Sequence, residues 1–216
     1  MVFDFNGTLS NDEPLLLRLY ADMFRRRLSW ELTSEDYFRR LAGRSDREIV
    51  ATVVAERGSD DAALVEELLD ERLARYRELV AERSPIEPAS GALVRLLHAH
   101  RVPMAIVTGA LRPDVDLVLE RSGLARVFGV IVTEEDVSRG KPDPEGFRSA
   151  LSALGVDPSS ALAFEDSIYG IRAAKAAGMS CLGVMGTSPR SELDAVADGV
   201  VDALDPELFA SVLAGG

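Results

Sequence analysis

Four stretches of the sequence carry side chains that suit phosphoryl transfer, and each stands at the carboxyl end of a predicted strand or in the loop after one: Asp4, Thr108-Gly109, Lys141 and Glu165-Asp166. An aspartate can act as a nucleophile and form an aspartyl-phosphate. Carboxylates bind Mg²⁺ through hard oxygen ligands, while a cation, a hydroxyl group and backbone N–H groups can hold the other phosphate oxygens. Each stretch alone has an ordinary explanation as a turn, a solvated loop charge or a helix N-terminus. Their combination predicts a phosphoryl-transfer site.

A parallel sheet would bring these stretches to one edge. From residue 89 onward, apolar strands alternate with helices, which is typical of a parallel sheet covered on both faces. The predicted strands cover residues 2–5, 102–107, 127–132, 161–164, 180–184 and 199–201, and the last predicted helix begins at Pro206. Polar residues at the carboxyl ends of such strands meet at one edge of the sheet. We therefore predict an α/β fold, a doubly wound Rossmann-like parallel sheet.

The first strand is separated from the rest of the sheet by a segment that is almost entirely helical. An amphipathic helix begins near Pro14, a second begins at Thr33, and a long one covers residues 60–82. Ser45, with Glu48 three residues later, predicts a capping box at the start of a further helix. The predicted domains are an α/β core of residues 1–13 and 86–216 and an inserted helical cap of residues 14–85.

The composition fits a globular protein of 216 residues, with 47% hydrophobic and 28% charged residues. A formal net charge of −12 argues against a nucleic-acid partner. The only cysteine, Cys181, excludes an internal disulfide, fits a reducing compartment and is expected to be buried. Because the sequence has neither a signal-peptide pattern nor a membrane-spanning stretch, we expect a cytoplasmic protein without a membrane partner, as a monomer or alternatively a dimer.

The four stretches also resemble the motifs of the haloacid dehalogenase-like (HAD) superfamily, in the order of that family. The motifs are Asp4-Phe5-Asn6-Gly7-Thr8, Thr108, Lys141-Pro142-Asp143 and Glu165-Asp166. Residues 170–179 look like the segment after the fourth motif in the phosphatase and β-phosphoglucomutase branch, and residues 13–15 and 43–48 match the helical cap of that branch. The resemblance covers essentially the whole chain and implies a HAD fold.

The resemblance implies a nucleophile and a Mg²⁺ site built from the first and fourth motifs. Asp4 would attack phosphorus in line. Asp4, the backbone carbonyl of Asn6 and Asp166 would bind the Mg²⁺, with Glu165 in support. The cap would open and close over this site and exclude water.

The resemblance also implies a phosphate site for a small phosphorylated metabolite. Thr108, Gly109 and Lys141 would bind phosphate oxygens, and Lys141 would also screen the charge of Asp4. Arg44 and Arg47 are candidates for contacts to an anionic part of the substrate, while solvated charges at a helix end explain them equally well.

Asn6 departs from the phosphatases and mutases of the family, which carry a second aspartate two residues after the nucleophile. That aspartate protonates the leaving oxygen and later activates water, and an amide can do neither at neutral pH. General acid–base catalysis is typically worth about 10²–10⁴-fold, so we expect slow hydrolysis or a preference for good leaving groups. Asp12 and Glu13 are the nearest groups in the sequence that could replace it.

Other branches of the superfamily that lack the second aspartate fit less well. Residues 1–140 contain no lysine, which excludes a Schiff-base lysine in the cap as in phosphonoacetaldehyde hydrolases. Haloacid dehalogenases do not use a pair like Glu165-Asp166, and Leu16 and Asp46 replace residues that β-phosphoglucomutases use. Two leading hypotheses remain: a Mg²⁺-dependent phosphatase that forms an aspartyl-phosphate at Asp4, or a catalytically impaired phosphate- and Mg²⁺-binding or regulatory protein of the same fold.

Overall fold

The computed structural model describes residues 1–208, and a parallel sheet lies at its centre. The strands are β1 Val2–Phe3, β2 Ala105–Val107, β3 Val130–Val132, β4 Leu162–Glu165, β5 Ser180–Val184 and β6 Gly199–Val201. Their order is β3-β2-β1-β4-β5-β6, so β1 pairs with β2 on one side and with β4 on the other. The strand order reverses at β1, and in such sheets this point opens a crevice at the carboxyl ends. The predicted α/β class is confirmed.

Helices fill the segment after β1 and alternate with the later strands. In chain order they are α1 Glu13–Leu28, α2 Ser34–Asp36, α3 Asp46–Glu56, α4 Ala62–Glu82, α5 Pro88–Ala99, α6 Arg112–Arg121, α7 Glu145–Leu154, α8 Ile168–Ala176 and α9 Arg190–Leu193. The helix predicted from Pro206 lies mostly outside the described residues.

The two faces of the sheet bury separate apolar clusters, because successive side chains of a strand point to opposite faces. Phe3, Ile106 and Phe164 belong to the larger cluster, which continues into the helices between β1 and β2. Val2 and Ala105 belong to the smaller cluster, which includes residues of the later helices. Helices therefore cover both faces, as expected for a doubly wound sheet.

The inserted helical cap is confirmed as part of the fold, and its third main helix begins as predicted. The hydroxyl group of Ser45 accepts a hydrogen bond from the Glu48 backbone N–H at 3.2 Å, and the Ser45 N–H donates to the Glu48 carboxylate at 3.3 Å. This capping box starts α3. We retain residues 14–85 as the proposed bounds of the cap, although α1 already begins at Glu13.

Some elements are shorter or of another type than predicted. The chain leaves β1 after Phe3, because the Phe5 carbonyl accepts hydrogen bonds from backbone N–H groups of the turn that follows, including that of Leu9 at 2.9 Å. Phe5 is nevertheless fully buried. The helix predicted from Thr33 consists of α2 followed by a π-helix over Tyr37–Leu41. Apolar residues in the sequence thus predict burial more reliably than they predict backbone hydrogen bonding.

Two expectations from composition can be compared with the described residues. Cys181 is a free cysteine with a fully buried side chain, as expected, and burial raises the pKa of its thiol. Across residues 1–208, no helix combines the length and the apolar character needed to cross a membrane.

Candidate active site

The carboxyl edge of the sheet and the cap enclose a small chamber of about 40 Å³. Its lining includes predicted site residues from all four motif regions, namely Asp4, Asn6, Arg44, Thr108, Gly109, Lys141 and Asp166. Asp4 directly follows β1, Thr108 follows β2, and Asp166 follows β4. The three central strands of the sheet therefore bring distant parts of the chain to one place. A chamber of this size holds no more than a few water molecules, so the cap lies close over the ends of these strands.

The cap loop, residues 43–48, closes the chamber by direct contact with the core. A Cβ atom on Gly43 would lie 2.9 Å from Ser167 Cβ, and one on Gly109 would lie 3.1 Å from Ser45 Cα. The φ angle of Gly43 is +79°, a conformation that L side chains rarely adopt. Glycines on both sides therefore allow the backbone of the cap loop to approach the core.

Lys141 joins two carboxylates at the floor of the site. Its Nζ donates hydrogen bonds to Asp4 Oδ1 and to Glu165 Oε1, both at 2.5 Å. Burial alone would lower the pKa of Lys141, but Asp4 and Glu165 outweigh burial and raise it. The lysine is therefore charged and fixes the orientation of the Asp4 carboxylate.

Three buried carboxylates form a group that fits a divalent cation. Oxygen atoms of Asp4, Glu165 and Asp166 all lie within 4.8 Å of one another. Burial, followed by the charge of Asp4, raises the pKa of Asp166 to about 7, and the same two causes raise the pKa of Glu165 well above its usual range. With Lys141 as the cation that contacts this group, two negative charges stay unbalanced when all three carboxylates ionise. Hard oxygen donors with this excess charge suit Mg²⁺.

Asp166 is held in place by groups outside the predicted set. The Thr187 backbone N–H donates to Asp166 Oδ2 at 2.9 Å, and the Thr8 hydroxyl donates to Oδ1 at 3.3 Å. Gly7 has a φ angle of +77°, and a Cβ atom there would overlap Asp166 Oδ2. The glycine of the first motif therefore permits the approach of Asp166 to the turn after β1. Thr8 stands inside that motif, but Thr187 has no signal in the sequence beyond its place after β5.

The Thr108 hydroxyl group is positioned to donate a hydrogen bond into the chamber. Its backbone N–H donates to the Val132 carbonyl at 3.0 Å, which keeps it in register with β3. Its Oγ1 accepts a hydrogen bond from the Ala110 N–H at 3.0 Å, so the hydroxyl hydrogen remains available. A phosphate oxygen could accept that hydrogen together with the Lys141 charge.

Asn6 lines the chamber, and its amide group donates to a buried carboxylate. Asn6 Nδ2 donates to Asp12 Oδ2 at 2.8 Å, and the Tyr76 hydroxyl donates to the same oxygen at 2.5 Å. Asp12 is fully buried, which raises the pKa of its carboxyl group. Of the two acids that the sequence offered as replacements, Asp12 is thus tied to Asn6 itself.

Glu13, the other candidate replacement, lines the chamber. The Tyr37 hydroxyl donates to Glu13 Oε2 at 2.7 Å. Burial, followed by the charge of Asp166, raises the pKa of Glu13 well above its usual range.

The two candidate arginines occupy different positions. Arg44 is exposed and lies at the rim of the chamber. Arg47 forms an ion pair with Glu66 at 2.5 Å and lines a neighbouring cavity of about 410 Å³. That cavity shares Thr108, Gly109 and Lys141 with the chamber, so a substrate contact by Arg47 stays a prediction.

Comparison with known proteins identifies the family. The family model described as haloacid dehalogenase-like hydrolase matches residues 1–184. The chain belongs to this family. The matched region contains all four motifs on which the resemblance rested.

The relatives of this HAD-like hydrolase include named phosphatases. Validoxylamine A 7'-phosphate phosphatase of Streptomyces hygroscopicus subsp. limoneus is 38% identical over 193 residues, which cover 86% of this chain and 85% of that protein. (DL)-glycerol-3-phosphatase 2 of Arabidopsis thaliana is 30% identical over 94% of this chain and 86% of its own length. Among solved structures, a mutant of CbbY from Rhodobacter sphaeroides in complex with xylulose-(1,5)bisphosphate is 31% identical, with a TM-score of 0.85 over 96% of this chain and 94% of that one.

Proposed function

We propose that the chain is a Mg²⁺-dependent phosphatase that acts on a small phosphate monoester. The observation that carries the proposal is the contact of Lys141 Nζ with both Asp4 and Glu165 at 2.5 Å, beside Asp166 and Thr108. This arrangement combines a nucleophile, a cation and a hydroxyl group in one chamber. The relatives named as phosphatases support the same class of reaction.

In the proposed reaction, the Asp4 carboxylate attacks phosphorus, so that a bond from Asp4 to phosphorus forms while the bond to the leaving oxygen breaks. Lys141 orients Asp4 and, together with the Thr108 hydroxyl and the Gly109 N–H, binds phosphate oxygens. Water then cleaves the aspartyl-phosphate and regenerates Asp4. The Mg²⁺ ligands would be Asp4, Asp166 and the backbone carbonyl of Asn6, with Glu165 in support. When bound, the ion neutralises charge on the phosphate oxygens.

Asn6 limits both halves of this reaction. The leaving oxygen needs a proton and the attacking water must lose one, and the amide of Asn6 serves neither step. Without a replacement, hydrolysis loses the roughly 10²–10⁴-fold that general acid–base catalysis typically contributes. We therefore expect the highest turnover with substrates whose leaving group needs no protonation.

A second candidate function is a binding or regulatory protein that keeps the pocket without turnover. The hydrogen bond from Asn6 Nδ2 to Asp12 favours it, because it directs the amide donor of Asn6 toward the buried Asp12 carboxylate. Phosphate and Mg²⁺ binding by Asp4, Lys141 and Asp166 would persist in such a protein.

Release of phosphate from an activated aryl phosphate, measured with and without Mg²⁺, tests both candidates. The phosphatase proposal expects Mg²⁺-dependent activity that Asp4→Asn abolishes and that Asn6→Asp leaves intact or raises. The binding protein expects negligible turnover until Asn6→Asp is made. Activity that persists in Asp4→Asn would contradict both.

Three expectations about the cellular context complete the proposal. The substrate is a small phosphorylated metabolite, consistent with the relatives named above. The cytoplasmic location and the monomeric or alternatively dimeric state stay predictions.

A further inference from the structure

One buried cation, Arg72, lies outside the chemistry described above. Arg72 stands in the middle of α4 with 0% of its surface exposed. It forms ion pairs with Asp46 Oδ2 at 3.1 Å and with Asp114. Asp46 belongs to the cap loop, whereas Asp114 belongs to α6 of the core. Arg72 therefore connects two parts of the cap to the core.

The guanidinium group is suited to hold both carboxylates at once. A buried charge is tolerated only when it is paired, and the planar guanidinium presents donors in a fixed fork. Burial alone would lower the pKa of Arg72, but Asp46 together with Tyr20 and Tyr76 outweighs burial and raises it, so Arg72 stays charged. The ring of Tyr76 lies 4.6 Å from the guanidinium carbon and restricts its plane.

Asp46 links Arg72 to the chamber. It is the first residue of α3, it lines the chamber, and it accepts a hydrogen bond from the Tyr20 hydroxyl. The residue before it, Ser45, is the one whose backbone packs against Gly109. The described lining of the chamber does not include Arg72, so Arg72 can act on the reaction only through Asp46 and the cap loop.

The ion pair between Arg72 and Asp114 depends on the position of the cap. The chamber of about 40 Å³ beside Asp4 is too small for a phosphate ester, so the cap must move away from Asp4 for a substrate to reach it. Arg72 and Asp46 move with the cap, whereas Asp114 stays with the core. The pair across this boundary therefore favours the closed cap over the open one.

We propose that Arg72 is a positioning residue that holds the cap loop over Asp4 by pairing with Asp46 in the cap and with Asp114 in the core at the same time. The proposal rests on the proposed phosphatase function for its kinetic test only. Movement of the cap loop can be measured independently of turnover.

The first test removes the core side of this connection with Asp114→Asn. Arg72 keeps Asp46, so the cap can stay folded, but the midpoint of urea unfolding should fall because a buried charge loses one partner. KM and hydrogen exchange are therefore measured where the variant is fully folded. Substrate enters while the cap is open and is retained when the cap closes, so a weaker closed state of the substrate complex raises the KM for an aryl phosphate. We expect KM to rise about tenfold and backbone hydrogen exchange in residues 43–48 to accelerate about tenfold, because one of the two ion pairs of Arg72 is weakened.

Asp116→Asn is the matched control for this variant. Asp116 lies two residues further along the same helix, on the surface, and pairs with Arg112 at 2.9 Å. We expect neither KM nor the exchange of the cap loop to change. The proposal is overturned if Asp114→Asn and Asp116→Asn have the same KM and the same hydrogen exchange in the cap loop. If the wild type shows no Mg²⁺-dependent turnover, the proposed function fails. The difference in hydrogen exchange between Asp114→Asn and Asp116→Asn then still tests the role of Arg72.

The second test changes the arginine itself. Arg72→Gln should raise KM and cap-loop exchange more than Asp114→Asn does, and Arg72→Lys should restore part of the loss, because lysine keeps the charge without the fork. The control is Arg75→Gln, because Arg75 lies on the exposed side of α4 and pairs with Glu78 at 2.5 Å. This variant should change neither KM nor the hydrogen exchange of the cap loop. A merely structural role would lower kcat with the folded fraction and leave KM unchanged, and that result would overturn the proposal.

Discussion

Replacing Asp166 by asparagine should stabilise the metal-free protein at alkaline pH and abolish its stabilisation by Mg²⁺. Asp166 is 2% exposed, and burial, followed by the charge of Asp4, raises its pKa from 3.8 to about 7. In the unfolded chain the same carboxyl group ionises near 3.8. An ionised Asp166 without a cation therefore disfavours the folded state.

The sign and the size of the effect follow from the two pKa values. Between about pH 4 and pH 7 the folded state holds more protons at Asp166 than the unfolded chain does, so stability falls as pH rises. A rise in pKa from 3.8 to about 7 corresponds to up to about 4 kcal/mol, at about 1.36 kcal/mol for each pKa unit. The weaker hydrogen bond from the Thr187 N–H to a neutral amide subtracts about 1 kcal/mol. Asp166→Asn should therefore raise the free energy of unfolding by about 3 kcal/mol at pH 8 and by much less at pH 5.

Urea unfolding in EDTA at pH 5 and pH 8 measures this difference. A second series in excess Mg²⁺ should stabilise the wild type by mass action and leave the variant unchanged. Asp70→Asn, at an exposed position on α4, controls for a general loss of negative charge. It should change neither the pH dependence of stability in EDTA nor the stabilisation by Mg²⁺. The reasoning is refuted if the advantage of Asp166→Asn in EDTA does not grow between pH 5 and pH 8, or if Mg²⁺ still stabilises the variant.

Two further predictions concern glycines that permit close contacts. Gly109→Ala places a Cβ atom 3.1 Å from Ser45 Cα, so it should displace the cap loop and raise the KM for an aryl phosphate several-fold. Gly129→Ala is the control: the nearest atom to its Cβ is 3.7 Å away, so KM should stay unchanged. An unaltered KM in Gly109→Ala would contradict this. Gly7→Ala puts a Cβ atom onto Asp166 Oδ2 at a φ angle of +77°. The thermal unfolding midpoint of this variant should therefore no longer rise with Mg²⁺. If the midpoint still rises with Mg²⁺, Asp166 does not need this glycine to hold the ion.

The sheet could be predicted from sequence because its strands are buried on both faces and therefore almost entirely apolar. The same signal overestimates strand length, because burial extends beyond the hydrogen-bonded ladder. Phe5 is fully buried yet lies in the turn after β1, and Val102, at the start of the predicted second strand, precedes β2 by three residues. The central place of β1, which sets Asp4 between Thr108 and Glu165, depends on strand pairing between distant segments and has no local signal.

The chemical groups of the site could be predicted for a different reason. Asp4, Lys141 and Asp166 stand in short motifs whose spacing along the chain is recognisable by itself. Arg72 has no such signal: in the sequence it is one more charge on an amphipathic helix, like Arg75. Only packing distinguishes them, because α4 turns Arg72 onto α6 and leaves Arg75 exposed.

The contact between Asn6 and Asp12 changes how the loss of the second aspartate should be understood. The amide N–H donates to a carboxylate that is fully buried and that also accepts from Tyr76, so the two positions are chemically matched. An aspartate at position 6 would put two carboxyl groups at this distance, and such a pair binds a proton strongly because both cannot ionise easily. The ability of the residue at position 6 to donate a proton therefore depends on the residue at position 12. A carboxyl group restored there would be a better proton donor with Asp12 present than with Asp12→Asn, because the neighbouring charge is what keeps it protonated near neutral pH.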